Sequence, residues 1–523
     1  MAVPHPPLLL RRVAHLATFD DDGTELSGVD VLCRNGSIES IGVNLDAPDA
    51  TVIDASELLV LPGLINAHQH LYQVGLRAIP ELERALIGPW LGGLGARCLD
   101  WWDSGRLTPT FVEALAACGL AESLLGGVTT VADQHYLHPA GPTQPFIEAT
   151  IAAARALGGR LHAGRGTLTL GRKQGGSADP RLVQSSTEVV RHATELIDEF
   201  HDPEPGAMVR IDLAPCGVHV DGADVFEAFA ELAEDHDGVR LHTHLYEAVD
   251  TAFCVDRYGI TPWQFLQRHG WASDRTWVAH VVDIPLHEIA QLAEAGVGVA
   301  HLPAPDLRMG WGTAPLREFL DAGVTVGFGT TGSASNDGAN LLGDLRLAAL
   351  AHRHHDDPAL WPTARELLWA ATRGSAACLG RPELGRIDVG AAADLAAWDL
   401  GTVDRVGVHD PLIGLVLSGL SDRAHTVVVA GQVIVSEGHL ITVQAYYNLA
   451  AAAHGLGEAT AAVTHAQIAL ERALALGPAA IDMAVQSRNV LALNEARRGR
   501  FNAAVEQFTQ LVQAMQQRFP TGH

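Results

Sequence analysis

The sequence predicts an α/β protein: a (β/α)8 TIM barrel of parallel strands, with a small β domain and a helical segment added at its ends. Short apolar runs alternate with longer amphipathic stretches through the middle of the chain, and several of these runs end in histidine. Continuous apolar strands that alternate with helices are typical of a parallel sheet buried on both faces. Eight such strands over this length favour a closed barrel.

The predicted barrel occupies residues 61–375, and its strands are short and aliphatic. They are Leu64–Ala67, Thr129–Ala132, Leu161–Ala163, Val209–Leu213, Val239–His242, Thr276–Ala279, Val297–Ala300 and Val324–Gly327.

Residues 1–60 and 376–441 predict the two parts of one small composite β-sandwich. In the first part, Val29–Arg34 and Ser37–Gly42 flank Asn35-Gly36, a type I′ hairpin signal. In the second part, three strand-like runs follow the barrel, at Asp394–Trp398, Val427–Ala430 and Val433–Val435.

Residues 446–523 change to an alanine-rich helical composition with an internal echo at an offset of about 42 residues. The echo pairs Leu449, Ala450, Gly457, Ala462 and Pro478 with Leu491, Ala492, Gly499, Ala504 and Pro520. This spacing resembles tetratricopeptide repeats of the kinesin-light-chain type. Two repeats are fewer than the three that a stable array needs, so the tail could pack on the barrel, pack on a second copy of itself, or be only partly ordered.

Composition narrows the classes of function. The formal net charge of −26 disfavours nucleic acid and anionic membrane surfaces as partners. The six cysteines form no Cys-x-x-Cys pair, and no signal peptide or membrane-spanning run is evident. We therefore expect a cytoplasmic protein that acts on a small molecule.

Histidines at the predicted strand ends are the strongest chemical signal. His68 and His70 alternate on one strand, His242 and His244 on another, and His280 and His301 each close a further strand. Alternate residues of a strand share a face, and barrels keep their active sites at the carboxyl ends of the strands. Neutral imidazoles that converge there predict a divalent metal site, and Glu247 is a candidate acid or base beside it.

These motifs resemble the amidohydrolase superfamily, in its mononuclear, cytosine-deaminase-like branch. The resemblance rests on Pro62–His70, His244 with Glu247, His280 and the segment Gly332–Gly338, and it extends over about residues 8–440. It implies that His68, His70, His244 and His280 bind one divalent metal ion, with zinc inferred from the family. Two-metal relatives use a carboxylated strand lysine as a bridge, and the single lysine, Lys173, stands in a glycine-rich loop.

One departure from the family pattern bears on the reaction. Most members place a metal-binding aspartate after the eighth strand, where this chain has Thr331, as in members that hydrolyse s-triazine rings. A threonine hydroxyl cannot take the water's proton and pass it to a departing amine. Chloride and methylthiolate leave without that proton. The sequence thus favours hydrolytic displacement on a triazine-type ring by hydroxide on the metal, with Glu247 protonating the ring.

Two residues are predicted to contact the substrate, Gln73 and Trp90. Two alternatives to the triazine reaction stay open. The first is aminohydrolysis of a purine-like or triazine ring, which would use the same metal and Glu247. The second is a scaffold that acts through the helical tail. The resemblance also implies a homodimer, although the tail replaces the usual ending of the family.

Overall fold

A parallel sheet of nine strands forms the centre of the computed structural model, which describes residues 6–247, 249–354, 356–418, 423–475 and 481–518. The strands of this sheet are Leu64–His70, Val128–His135, Arg160–Thr167, Val209–Pro215, Arg240–Leu245, Thr276–His280, Gly298–His301, Val326–Phe328 and Thr331–Gly332. They are paired in chain order, except that the last strand lies beside the first. All eight predicted barrel strands fall in this one sheet.

The eighth strand is broken in two, and its pieces form the two edges of the sheet. Val326–Phe328 pairs with the seventh strand, whereas Thr331–Gly332 pairs with the first strand. Gly329 lies between the pieces, and a Cβ built there would approach the carbonyl oxygen of His68 to 2.8 Å. The sheet therefore curls until its edges meet. The predicted eighth strand, Val324–Gly327, missed the second piece because two connecting residues interrupt its apolar pattern.

Helices connect the strands of the curled sheet and cover its outer surface. The helices before residue 440 are Ile87–Asp103, Pro109–Leu125, Phe146–Leu157, Ser186–Phe200, Ala223–Asp235, Asp250–Tyr258, Pro262–Arg268, Leu286–Ala295, Pro303–Arg308, Leu316–Asp321, Leu341–Ala351, Ala364–Trp369, Ser375–Cys378 and Pro411–Leu417. A π-helical turn, Ala370–Gly374, joins two of them. Short 3-10 helices are Leu71–Leu76, Pro80–Leu82, Arg172–Gln174, Pro180–Leu182, Pro358–Leu360 and Val403–Arg405.

Two smaller sheets flank the curled sheet. One contains Leu8–Val13, Val29–Arg34, Ser37–Gly42 and Thr51–Asp54. The other joins both ends of the central segment and contains His15–Ala17, Glu25–Leu26, Leu58–Pro62, Leu395–Asp399, Thr426–Val429, Gln432–Ser436 and His439–Leu440.

The joined sheet is apolar on both faces, and each face has a different partner. Leu58 and Val60 belong to a core shared with the four-stranded sheet, whereas Leu59 and Leu61 belong to the core of the curled sheet. Successive side chains of a strand point to opposite faces, so this alternation follows from the continuous run of apolar residues. The small β unit is thereby fixed to the central sheet.

The C-terminal segment consists of two helical hairpins. Their helices are Val443–Leu456, Ala459–Ala475, Ile481–Arg497 and Phe501–Arg518. Residues 457 and 499 of the 42-residue echo are the glycines that end the first helix of each hairpin, with φ of +85° and +73°. Positions 478 and 520 of the echo lie outside the described residues.

The first of these helices packs on the part of the chain that precedes residue 440. A Cβ built at Gly455 would meet the Phe111 ring at 2.7 Å, so the two helices approach closely. Arg472 donates a hydrogen bond of 2.7 Å to the Leu440 carbonyl and lies over the Tyr446 ring. Within the described part of the chain, no helix has the length and apolar character needed to cross a membrane.

Candidate active site

Four predicted ligands and Glu247 meet at the carboxyl ends of the parallel strands. His68 and His70 end the first strand, His244 lies near the end of the fifth, and His280 is the last residue of the sixth. The first strand has irregular pairing with its neighbour between Asn66 and Gln69, a kind of distortion common beside active sites. Ring nitrogens of His68, His70 and His244 lie within 4.8 Å of one another.

Backbone carbonyls determine which nitrogen of two of these rings is protonated. His70 Nδ1 donates to the Gln134 carbonyl at 2.9 Å, and His244 Nδ1 donates to the Cys216 carbonyl. A carbonyl oxygen only accepts hydrogen bonds, so both Nδ1 atoms carry the proton and both Nε2 atoms present lone pairs. These two Nε2 atoms face each other at 3.2 Å. Two facing lone pairs repel each other, and a cation between them would remove that repulsion.

A relay of hydrogen bonds gives His68 the same orientation. His242 Nδ1 donates to the Trp277 carbonyl at 2.9 Å, which leaves His242 Nε2 as an acceptor. His68 Nδ1 donates to that atom at 2.7 Å, so His68 Nε2 also presents a lone pair. Partners that fix the tautomer in this way are characteristic of metal-binding histidines.

Burial keeps these imidazoles neutral. It lowers the pKa of His70 to about 3, and it lowers the pKa values of His68 and His244 well below the ordinary value. A divalent metal ion requires neutral imidazole as its ligand. Both the lone-pair directions and the protonation state therefore fit a metal ion such as zinc.

His280 and Glu247 form the other side of the site. His280 Nδ1 pairs with Asp306 at 2.6 Å, and His280 Nε2 lies 3.5 Å from Glu247 Oε1. His244, Glu247 and His280 form a second group of possible ligands within 4.8 Å. His280 has φ of +72°, an uncommon conformation for a residue with a side chain, and such strain is frequent at functional sites.

The Glu247 carboxyl is buried near His280 and Asp250. Burial raises its pKa against the opposing effect of His280, and the nearby Asp250 adds to the rise. Asp250 also accepts a hydrogen bond from the Glu247 amide at 3.1 Å and pairs with His219 at 2.9 Å. Burial alone would lower the pKa of His219, but Asp250 raises it above the ordinary value.

Thr331 lies beside the histidine cluster. Its hydroxyl is 3.1 Å from His68 Nε2, and the residue is buried, with φ of +50°. Among the described residues, no carboxylate lies within hydrogen-bonding distance of His68. Next to His68, the described part of the site therefore has a neutral hydroxyl instead of a carboxylate.

A cavity of about 400 Å³ opens onto these groups. His70, His244, Glu247, His280 and Thr331 line its floor, and its walls are mainly apolar. Tyr136, Met309 and Trp311 contribute to these walls, and we predicted none of the three from the sequence. A small apolar cavity with a few convergent polar groups is typical of a site that binds a small organic molecule.

Both predicted substrate contacts line this cavity and are buried. Gln73 Nε2 donates to the Tyr136 hydroxyl at 2.9 Å, whereas Gln73 Oε1 has no hydrogen-bond partner among the described residues. The Trp90 indole N–H likewise has no partner in the described part of the chain. Unpaired buried polar atoms are rare, and those that line a cavity are candidates for binding a ligand.

Two of the strand-end histidines lie outside the groups of possible ligands found in the described residues. His242 supports His68, as described above, and His301 pairs with His352 at 3.1 Å. Sequence reasoning also missed the supporting roles of His219, Asp250 and Asp306. They lie after strands rather than at strand ends, where only a three-dimensional contact distinguishes them from other polar residues.

Comparisons with known proteins agree with this geometry. The sequence profile of the Amidohydrolase family matches residues 59–435. The chain is 38% identical over 426 residues to 8-oxoguanine deaminase of Pseudomonas aeruginosa. The aligned region covers 81% of this chain and 93% of that protein. It is 34% identical over 447 residues to hydroxydechloroatrazine ethylaminohydrolase of Pseudomonas sp. strain ADP, with 81% and 89% covered.

Solved structures give a higher identity. The atrazine chlorohydrolase of Arthrobacter aurescens TC1, crystallised in complex with zinc, is 52% identical and has a TM-score of 0.84. The match covers 86% of this chain and 100% of that chain. A mutant of that enzyme in complex with zinc and atraton gives the same identity, TM-score and coverage.

Proposed function

Because the chain belongs to the amidohydrolase family, we propose that it is a hydrolase that displaces chloride, methylthiolate or a similar group from an s-triazine-type ring. The similarity to an atrazine chlorohydrolase crystallised with zinc supports metal-dependent hydrolysis of such rings. The preference for chloride or methylthiolate as the leaving group rests on one observation: the neutral Thr331 hydroxyl lies 3.1 Å from His68 Nε2.

We propose that one divalent metal ion, zinc, is held by His68, His70, His244 and His280. The ring nitrogens of His68, His70 and His244 lie within 4.8 Å of one another, which supports the first three ligands, and His280 lines the same cavity. When bound, zinc would supply Lewis acidity that makes a water molecule nucleophilic near neutral pH.

Glu247 is proposed as the proton donor to the ring. Its carboxyl lines the cavity floor, and its burial favours the protonated form. Proton transfer to a ring nitrogen makes the neighbouring carbon more electrophilic, so the water oxygen bonds to that carbon. The Glu247 carboxylate then takes one proton from the added water, which restores its carboxyl group. The bond from the ring carbon to chlorine or sulfur breaks, the leaving group departs with the bonding electron pair, and the second proton passes to solvent.

Thr331 determines which leaving groups can depart from the substrate ring. A hydroxyl has too little acidity and basicity near neutral pH to carry the water's proton to a departing amine. Chloride and methylthiolate are stable anions and need no such proton. With Thr331 at this place, the site favours these groups over ammonia.

Gln73 and Trp90 are proposed to bind the substrate. The unpaired Gln73 Oε1 would accept from an N–H of the ring substituents, and the Trp90 N–H would donate to a ring nitrogen. Each hydrogen bond would satisfy a buried atom that has no partner in the described structure, which makes the contact selective.

A second candidate function is aminohydrolysis of a purine-like or triazine ring. The identity of 38% to an 8-oxoguanine deaminase favours it, since the same histidines and Glu247 would serve that reaction.

We further propose a division into a β unit of residues 1–60 and 376–441, a hydrolase unit of residues 61–375, and a repeat-like tail of residues 446–523.

The two candidates are separated by the products that the zinc-loaded protein releases. We expect chloride from atrazine and methylthiol from ametryn, without ammonia from guanine or 8-oxoguanine. Ammonia release alone would contradict the proposed leaving groups and favour the deaminase. No product from any of these rings would contradict both candidates.

A further inference from the structure

A further histidine, His219, lies beside Glu247 in the cavity. Glu247 belongs to two groups of close side chains, one with His244 and His280 and the other with His219 and Asp250. In each group, one nitrogen or oxygen atom of every member lies within 4.8 Å of the others. His219 lines the cavity and is 6% exposed. Glu247 therefore lies between the predicted metal ligands and His219.

A network of buried hydrogen bonds fixes the loop that carries this histidine. The Asp221 carboxyl is fully buried, and it accepts from the Cys216 amide at 2.8 Å and from the Thr167 hydroxyl at 2.6 Å. The Ser177 amide donates to the His219 carbonyl at 3.0 Å. A side chain held in this way can position a ligand precisely.

Asp250 gives His219 the properties of a cation. Asp250 is 0% exposed, its Oδ1 lies 2.9 Å from His219 Nδ1, and its Oδ2 accepts from the Glu247 amide. Buried charges are paired in folded proteins, and His219 is the one ion-pair partner of Asp250 among the described residues. An imidazolium carries a proton on both nitrogens, and the Nδ1 proton is directed at Asp250.

The second N–H of His219 is free to bind a ligand. Its Nε2 has no hydrogen-bond partner in the described part of the chain, where the ring makes a single hydrogen bond, to Asp250. A charged donor without an acceptor is unfavourable in a cavity whose walls are mainly apolar. A ligand that supplies an acceptor atom would satisfy it.

We propose that His219 binds the substrate ring, with Nε2–H donating to the ring nitrogen opposite the carbon that carries the leaving group. This inference rests on the proposed function, in which Glu247 protonates a nitrogen next to that carbon. Carbon and nitrogen alternate around a triazine, so the next nitrogen along the same edge is the opposite one. His219 lies in that direction, beyond Glu247 from the predicted metal ligands.

The proposed hydrogen bond would favour the reaction as well as binding. Attack of the water oxygen on the ring carbon shifts negative charge onto the adjacent and the opposite ring nitrogens. A bond from the His219 cation to the opposite nitrogen strengthens as that charge develops, so it stabilises the transition state more than the bound substrate. His219 keeps its proton throughout. Loss of this donor should therefore lower kcat more than it raises KM.

The test is a cycle of two proteins and two substrates. Simazine is a chlorotriazine with two ethylamino groups, and its chloropyrimidine analogue has a C–H in place of the ring nitrogen opposite the chlorine. We expect His219→Phe to lower kcat/KM for simazine at least about tenfold more than for the pyrimidine, since only simazine can accept this bond. The intrinsic reactivity of the two rings cancels in this comparison. Equal losses would indicate a structural role and overturn the proposal.

Two further variants control for damage to the fold. His269→Phe should keep both wild-type rates, because His269 pairs with Glu227 at 2.9 Å but does not line the cavity. If His219→Phe does not fold, His219→Gln takes its place, since the amide can pair with Asp250 but has no positive charge. It should also lower the simazine rate more than the pyrimidine rate, and equal losses would again overturn the proposal.

Binding of unreactive rings separates this inference from the proposed function. The two rings with hydrogen in place of chlorine have no leaving group, so calorimetry with the zinc-loaded protein gives their Kd values. We expect His219→Phe to weaken binding of the triazine at least about threefold and to leave that of the pyrimidine unchanged. This result without chloride release from simazine would overturn the proposed function alone. Chloride release with equal changes in both Kd values would overturn this inference alone, and no binding of either ring would overturn both.

Discussion

Hydrogen-bond partners outside the histidine cluster determine which nitrogens of three clustered histidines, within 4.8 Å of one another, present lone pairs. The Gln134 and Cys216 carbonyls hold the protons of His70 and His244 on Nδ1, and His242 does the same for His68. Burial then keeps the rings neutral. The alternating histidines were predictable from the sequence, but these carbonyls were not, because backbone atoms leave no mark on residue identity.

At the residue scale, Glu247→Gln tests the proposed proton donor. The amide keeps the size of the side chain but cannot deliver a proton to the ring, so we expect the rate to fall by about 10²- to 10⁴-fold. Zinc content, measured by mass spectrometry, should stay at the wild-type value. Glu122→Gln is the control, because Glu122 pairs with Arg77 away from the cavity. A rate within about twofold of the wild type would remove Glu247 from the mechanism.

Trp90→Phe tests the proposed substrate contact. Phenylalanine keeps an aromatic ring but lacks the unpaired N–H, so kcat/KM for a triazine should fall about tenfold, the loss expected for one hydrogen bond. Trp101→Phe is a matched control, since both residues are 6% exposed and lie in the same helix, but Trp101 does not line the cavity. Equal losses in both variants would indicate packing instead of binding.

At the scale of elements, the carboxyl ends of the strands bring the site together. The order of the strands and the histidines at their ends followed from the apolar pattern and its period. The break in the eighth strand could not be predicted from that pattern, because it depends on the close approach of Gly329 to the backbone of His68. That break places Thr331 beside the first strand, paired with Gln69.

Gly374→Ala tests how tightly the π-helical turn fixes the eighth strand. A Cβ at residue 374 would lie 1.9 Å from the carbonyl oxygen of Val326, and neither backbone can yield easily. We expect a loss of about 1–3 kcal/mol in stability, seen as a lower denaturation midpoint. Gly95→Ala should be neutral or stabilising by up to about 1 kcal/mol, because its Cβ would meet nothing within 4 Å in a helix. Similar midpoints for both variants would refute this view of the strand.

At the scale of the whole molecule, the hydrolase part and the first tail helix share one apolar core. Tyr446, Ala450 and Ala453 belong to the same cluster of buried residues as the helix Pro109–Leu125. The sequence left open whether the tail packs on the barrel. The described structure places its first helix there, because alanine and glycine allow two helices to approach closely.

Two truncations test this role of the tail. Deletion of residues 446–523 uncovers Phe111, so we expect a lower Tm and poorer solubility. Deletion of residues 481–523 keeps the first hairpin and should leave the Tm within about 2 °C of the wild type. Both proteins should keep the wild-type kcat/KM while folded, because none of the described tail residues lines the cavity beside Glu247. Equal Tm values for the two truncations would contradict a stabilising role for the first hairpin.

The most direct test of the account is the leaving-group preference of Thr331→Asp, measured as the ratio of ammonia release from an aminotriazine to chloride release from atrazine. A carboxylate at this place could carry a proton to a departing amine, so we predict that the ratio rises by at least about tenfold. Thr331→Ser, which keeps the hydroxyl, should leave the ratio at the wild-type value. A ratio unchanged by the aspartate would contradict the claim that Thr331 determines which group leaves.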